Sequence, residues 1–271
     1  MEERYVLVTG AYGGLGRAVV EALLEKGYAV FASDISIDET LQDERLMPIH
    51  LDVTNDRSIF KAYQLISEYT DSLYAIINLA GIFYLDSIVE GEEDKLRRII
   101  DVNFFGAYKM NKAFMPFFEV GKSRIINAVS EISCYSPQPF MGYYAISKKM
   151  LDTYNDVLRR ELNYIGIKVV KINSGSFNTG LLTKANDEYE KLVESTEVYK
   201  DQLTKLKFMM DRELNKSHDP KQFAKVVMKV LNKKNPKICY NVNRSFSLNL
   251  FLLYLKSGKI ESIKNILNSN N

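Results

Sequence analysis

The stretch YVLVTGAYGGLGR, residues 5–17, opens on four apolar residues, Tyr5 to Val8, and then places glycine at positions 10, 13, 14 and 16. Glycine weakens strand and helix interiors alike, so its concentration here needs a backbone reason. The order is a short strand, a tight turn and an amphipathic helix over residues 14–26. That order suits a phosphate. Glycines let the backbone approach closely, and a helix N-terminus offers free N–H groups and a positive dipole end. Gly10, Gly14 and Gly16 then take the demanding positions, with Gly13 in a variable slot between Tyr12 and Leu15. The turn is a candidate cradle for a dinucleotide pyrophosphate, although a merely flexible turn has the same composition.

A second mark lies at Asp34, after the apolar run at residues 29–32. It stands at about the twenty-residue distance at which an acid reaches the ribose hydroxyls of such a ligand. A carboxylate accepts two hydroxyl hydrogen bonds and repels a 2′-phosphate. No basic residue follows directly, so NAD(H) is expected over NADP(H), with Arg17 the one nearby cation that favours the phosphate. A solvated turn acid is the alternative reading of Asp34.

Outward from these marks, short apolar runs alternate with helical patterns. Residues 5–8, 29–32, 47–51, 73–78, 124–129, 168–172 and 237–242 read as strands, and residues 14–26, 56–69, 94–118, 142–164 and 220–232 as helices. The strands are apolar on both faces, as buried parallel strands are. The alternation predicts an α/β, doubly wound, seven-stranded, mostly parallel sheet with helices on both faces. The whole chain, 1–271, reads as one dinucleotide-binding and catalytic domain. Residues 181–215 contain no strand and carry Leu192, Tyr199, Leu203, Leu206 and Met210 at helical spacing, which makes them a candidate substrate lid or a plain surface helix. Residues 243–271 read as a helical tail.

Composition narrows the function classes. The formal charge is +2 over 271 residues, with basic and acidic residues interspersed, so no polyanion such as nucleic acid is implied. Two cysteines, Cys134 and Cys239, and two histidines, His50 and His218, form no metal-ligand spacing. A reduced, cytoplasmic setting is expected. No signal peptide is visible. The apolar stretch 246–255 is too short to cross a bilayer, and packing or oligomer contact outweighs a peripheral membrane contact through it.

Tyr144 and Lys148 stand four apart in GYYAISKKML, residues 142–151, and so share a helix face. An ammonium beside a phenol favours phenolate, which makes Tyr144 a candidate general acid/base. Tyr143 and Lys149 are the decoys beside them.

At this point the chain resembles the short-chain dehydrogenase/reductase family, over nearly its whole length. Thr9 through Gly16 fits TGxxxGxG. Asp52, followed by Val53, fits the adenine-contacting acid, and Asn78-Leu79-Ala80-Gly81 fits NNAG with Leu at the second position. Asn103, Ser130, Tyr144 and Lys148 fit the catalytic set, and Ser174 through Thr179 is similar to PGxxxT. The resemblance implies hydride transfer between a nicotinamide and a CH–OH carbon. Tyr144 would move the proton at the substrate oxygen and Ser130 would hydrogen-bond it. Lys148 would hold the nicotinamide ribose and lower the Tyr144 pKa, and Asn103 would hold a water that relays protons. The cofactor contacts would fall on Gly10, Tyr12, Gly13, Gly14, Leu15, Gly16, Asp34, Asp52, Val53, Asn78, Ala80, Gly81, Tyr144, Lys148, Gly175 and Thr179.

Three departures stand out. Ser174 replaces the family proline and is expected to loosen its turn. Ser130 and Tyr144 are 14 residues apart, one more than the commonest spacing, and Ser133 rivals Ser130. Glu131 beside Ser130 is unusual and faces either solvent or a polar substrate group. Residues 158–169 and the segment from Pro236 onward are similar to retinol and hydroxysteroid dehydrogenases. That implies a hydrophobic secondary alcohol or ketone, steroid- or lipid-like, with Leu182, Tyr189, Leu192, Val193 and Met209 of the lid as its lining. The aromatics Phe104, Phe105, Tyr108, Phe114, Phe117 and Phe118 are expected to build the face of a homodimer or homotetramer, or else core. The rival readings are a sugar-nucleotide epimerase or dehydratase, which usually carries a larger C-terminal domain, and a cofactor-sensing binding protein, which would need no catalytic set.

Overall fold

The computed structural model describes residues 4–134, 137–204, 207 and 217–242. Leu206, Met209, Met210 and the expected tail 243–271 lie outside the described residues, as does the side chain of Leu182.

Among the described residues seven strands, β1 (Tyr5–Thr9), β2 (Ala29–Asp34), β3 (Leu46–His50), β4 (Ala75–Asn78), β5 (Arg124–Ser130), β6 (Lys168–Ser174) and β7 (Cys239–Val242), form one sheet in the order β3-β2-β1-β4-β5-β6-β7. Every pairing is parallel. The central strands are buried on both faces: all seven residues of β5 and all four of β4 are buried. Helices α1 (Gly14–Glu25) and α7 (Lys221–Asn232) cover one face, where Val19, Val20, Leu23, Phe223 and Val227 pack on Val6, Val8 and Ile126. Helices α2 (Asp56–Tyr69) and α4 (Ala107–Ala113) help cover the other, with Ile59, Ile66 and Met110 on Leu7, Ile76 and Ile125. Each such side chain contributes roughly 1.5–3 kcal/mol by leaving water.

Also described are helices α3 (Glu93–Ile100), α5 (Gly142–Asn163) and α6 (Gly180–Ser195). The single helix expected over residues 94–118 is instead interrupted. Between α3 and α4 the six residues Asp101–Gly106 form a π-helical segment, and a 3-10 turn, Met115–Phe117, follows α4. The aromatics of this stretch divide accordingly. Phe114 and Phe117 are core, while Phe105 and Tyr108 remain exposed. Leu73, expected in β4, makes only an isolated bridge to Phe118.

The strand order reverses between β1 and β4. In open parallel sheets the crevice beyond the strand ends at such a switch point receives ligands. Here it is bounded by the turn after Thr9 and the loop after Asn78.

Candidate active site

Thr9 joins the two walls of the crevice. Its hydroxyl oxygen accepts hydrogen bonds from the backbone N–H groups of Leu79 and Ala80, both at 3.2 Å. This explains the first glycine. Gly10 has φ +65°, and a Cβ there would fall 2.7 Å from the Ala80 nitrogen. Gly16 is tighter still, since a Cβ would lie 1.9 Å from the Gly10 carbonyl oxygen. At Gly13 the nearest atom would be 3.4 Å away, an ordinary contact. The first turn of α1 carries no acid and no side-chain cap, so its N–H groups remain available to an anion.

Asp34 is fixed at the end of β2. Its carboxylate accepts from the N–H of Tyr12 at 3.1 Å and from that of Ile35 at 2.7 Å. Arg17 is held elsewhere. Its guanidinium bonds Glu21 at 3.1 Å and pairs with Asp38, so Asp38 restrains the one cation that favoured a 2′-phosphate. Asp52 turns back on its own loop, accepting from the Thr54 N–H at 2.8 Å and hydroxyl at 2.7 Å. Burial raises its pKa, but these bonds prevail and hold it below the ordinary value. Val53, buried, lies where a Cβ on Gly106 would meet it at 2.7 Å. Thus the glycine cradle, the uncapped helix end and Asp34 fit a dinucleotide, with Asp52 and Val53 on the neighbouring rim.

Asn78 does not point into the crevice. Its amide donates to Asn111 Oδ1 and Asn127 Oδ1, both at 2.8 Å, and Asn127 donates to Asn155 at 3.0 Å. This buried amide chain ties β4 through β5 to α5. Sequence reading missed it because Asn127 and Asn155 sit in otherwise ordinary strand and helix patterns.

The expected catalytic residues converge. Ser130 ends β5, and burial pushes the nearby Tyr144 phenol up to about 12 against a lowering by its hydrogen bond with Ser130. The negative charge of Glu131 adds to the rise. Lys148 is buried, donates to the Ala128 carbonyl at 3.0 Å, and sits 5.8 Å from the centre of the Tyr144 ring. Desolvation lowers its own pKa to about 8. The lowered Tyr144 pKa expected from Lys148 is not what the chain by itself has: burial, with the Glu131 charge, outweighs the Ser130 hydrogen bond and raises it.

Asn103 lies in the π-helical segment. It donates to the Ile82 carbonyl and the Ser147 hydroxyl, both at 3.0 Å, and accepts from the Ile82 N–H at 2.8 Å. A Cβ on Gly81 would lie 3.2 Å from Asn103 and 3.8 Å from Lys148 Nζ, so all three share one corner of the site. Ser147, whose hydroxyl donates to the Tyr144 carbonyl at 2.8 Å, was not expected from sequence. The decoys separate cleanly. Tyr143 is buried against Gly91, Lys149 reaches the Ser133 carbonyl, and the Ser133 hydroxyl is taken up by the Ser130 carbonyl at 2.8 Å.

Ser174, where the family proline was expected, is tied into the sheet on both sides. It is the last residue of β6, paired with Ser130 and Val242, and its hydroxyl donates to the Val129 carbonyl at 3.1 Å. Its own carbonyl accepts from Ser130 at 3.4 Å, and the Gly175 N–H continues the pairing onto Val242 at 2.9 Å. Thr179 then stands at the N-cap position of α6, directly against Gly14.

The outer wall is apolar. Phe83 packs on Tyr144 with ring centres 5.2 Å apart. Leu85, Tyr189, Leu192 and Leu203 form a separate small core, with Phe83, Phe140, Met141, Val193 and Tyr199 against it. Phe140 has φ +65°, a left-handed conformation costly for a bulky residue, and its ring meets Tyr199 at 5.4 Å. The Glu90 carboxylate anchors residues 196–198, accepting from the Thr196 hydroxyl at 2.6 Å and the Glu197 N–H at 3.0 Å.

A chain with this sheet, this glycine cradle and this Ser-Tyr-Lys cluster belongs to the short-chain dehydrogenase family, whose model matches residues 4–190. It is 29% identical to the 3-ketodihydrosphingosine reductase of Bacteroides thetaiotaomicron over 87% of its length and 86% of that protein. It is 33% identical to the estradiol 17-beta-dehydrogenase 2 of Mus musculus over 71% of its length, and spans 52% of that relative. Its fold is that of a short-chain dehydrogenase family protein from Francisella tularensis subsp. tularensis SCHU S4, with a TM-score of 0.74, 24% identity, and coverage of 89% and 97% of the two chains. Among the described residues no helix is long and apolar enough to cross a membrane.

Proposed function

We propose that the chain is an NAD(H)-preferring dehydrogenase or ketoreductase for a hydrophobic, steroid- or lipid-like secondary alcohol or ketone. The observation that carries this reading is the convergence of Ser130, Tyr144 and Lys148 beside an apolar wall, at the mouth of the glycine cradle. Bound nicotinamide supplies the hydride donor or acceptor. Tyr144 gives or takes the proton at the substrate oxygen. Its phenol, with a pKa near 12, is protonated at neutral pH, which is the state that ketone reduction consumes. Ser130 holds the substrate oxygen, Lys148 holds the ribose, and Asn103 keeps the Lys148 corner in shape.

The preference for NAD(H) rests on Asp34 and on the restraint of Arg17 by Asp38. The lipid-like reading rests on Phe83, Phe140 and the small core under residues 181–204, and the names of both curated relatives agree with it. Glu131, 8% exposed and directly after Ser130, gives that wall a carboxylate for a polar group near the reacting carbon. Exposed Phe105 and Tyr108, with Ile146 and Val157 of α5, serve pairing with a second copy of the chain.

The test is a panel of steroids, retinoids, long-chain ketones, sugars and small ketones, scored by NADH absorbance with wild type and Tyr144→Phe. Turnover of apolar ketones that Tyr144→Phe reduces by roughly 10²–10⁴-fold, with NADH binding retained, supports the reading. Turnover confined to sugars, or unchanged in the variant, overturns it.

A further inference from the structure

The two cysteines of this chain, 105 positions apart, meet at one side chain. Asn173, 2% exposed in β6, places its amide nitrogen 3.4 Å from Cys134 Sγ and 3.3 Å from Cys239 Sγ. The sulfurs are therefore no farther apart than those two contacts laid end to end. The same nitrogen lies 3.0 Å from Asn241 Oδ1. Three acceptors thus surround an amide nitrogen with two hydrogens, while the Asn173 amide oxygen is buried without a hydrogen-bond partner. This corner is poorly matched to two reduced thiols held apart by a neutral amide. Both cysteines are partly exposed, so a small solute reaches them.

We propose that Cys134 and Cys239 form a redox-active dithiol that a hydroperoxide closes to an intramolecular disulfide. One thiolate attacks the O–O bond, giving a sulfenic acid and releasing water or an alcohol. The second thiol displaces the sulfenic oxygen as water. In total the two thiols lose two electrons and two protons, the O–O bond breaks and the S–S bond forms. Closure needs the Asn173 amide to rotate aside and the sulfurs to approach bonding distance. The bridge would link the 3-10 turn Glu131–Cys134, which starts directly after Ser130, to the edge strand β7.

The test uses the full chain treated with hydrogen peroxide, followed by thiol titration and digestion without reductant. The expected result is the loss of both titratable thiols in monomeric protein. A peptide pair joining Cys134 to Cys239 appears two hydrogens lighter than its parts, and dithiothreitol reverses both changes. In Cys134→Ser and Cys239→Ser the pair is absent and one thiol becomes over-oxidised instead. Folded wild type in which the thiols are oxidised singly, or bridge only between molecules, overturns the proposal. So does protein whose two thiols both persist under peroxide that bridges the urea-unfolded chain. None of these readouts depends on the substrate or the cofactor, so their failure is distinct from failure of the enzymatic reading.

Discussion

Gly14 and Thr179 stand against each other at the mouth of the site: a Cβ on Gly14 would fall 2.5 Å from Thr179 Cγ2 and 3.2 Å from its Cα. The start of α1 and the start of α6 are thereby brought into contact, although the sequence separates them by most of the chain. The two loops therefore form one site and cannot be altered independently.

The four glycines of the turn should respond in a fixed order to alanine. Gly13→Ala should leave NADH affinity within about twofold, because its Cβ meets only an ordinary contact. Gly14→Ala should weaken binding roughly tenfold through Thr179, and Gly16→Ala more, because backbone cannot yield as a side chain does. NADH fluorescence titration, with circular dichroism to verify folding, measures the series. Equal losses at Gly13 and Gly16 would count against the cradle.

Cofactor choice should depend on two acids. Asp34→Ala should weaken NADH roughly tenfold, the cost of about one charge-assisted hydrogen bond, and improve NADPH little while Asp38 still holds Arg17. Asp34→Ala with Asp38→Asn should free Arg17 and raise NADPH affinity further. Parallel titrations with both cofactors decide it. A gain from the single variant as large as from the double would show that Asp38 is not the restraint.

Lys148 should make stability rise with pH. Its folded pKa, about 8, lies below the ordinary 10.5, so between those values the unfolded chain binds the extra proton. Unfolding free energy therefore increases with pH across that window, by up to about 3 kcal/mol. Tyr144 acts oppositely but only between 10 and about 12, where the folded chain keeps the proton longer. Urea melts of wild type and Lys148→Met at pH 7, 8 and 9.5 test the slope. The variant should lose the rise between pH 8 and 9.5; an unchanged rise would assign it to another group.

The Glu90 anchor should hold the outer wall shut. Glu90→Ala removes the acceptor for Thr196 and Glu197 and should speed proteolysis within residues 195–204 by roughly tenfold, the effect of about one charge-assisted hydrogen bond. Cleavage elsewhere in the described chain should be unchanged. Comparable protection in wild type and variant would mean that the small apolar core suffices.

Much of this site was legible because its groups are local to strand ends. Gly10, Asp34, Ser130 and Thr179 each follow an apolar run, and parallel strands bring all such ends to one side. Helical spacing put Tyr144 and Lys148 on one face, and the family resemblance gave the pair its expected role. What stayed hidden depends on contacts between distant elements: the Asn78–Asn127–Asn155 chain, Ser147 behind Asn103, and Glu90 under Thr196. Electrostatics were misread for a related reason. Spacing shows that Lys148 is near Tyr144, but not that desolvation is the largest influence on each of them. The change at Ser174 was likewise invisible, since the value of its N–H and hydroxyl depends on strands β5 and β7 lying on either side.

The π-helical segment Asp101–Gly106 has a consequence for how this chain tolerates insertions and deletions. Such a segment holds one residue more than an α-helix of the same span, which is a phase step of about 100°. Upstream of it α3 faces α5, and downstream Met110 faces the sheet. Removing one residue from this segment would restore a regular helix and put those two faces out of register. Asn103 would swing away from Ile82 and Ser147 without itself being changed. A single deletion here should therefore be more damaging than the substitution of any exposed residue in the segment, and the reading frame of the helix is as much a part of the site as its side chains.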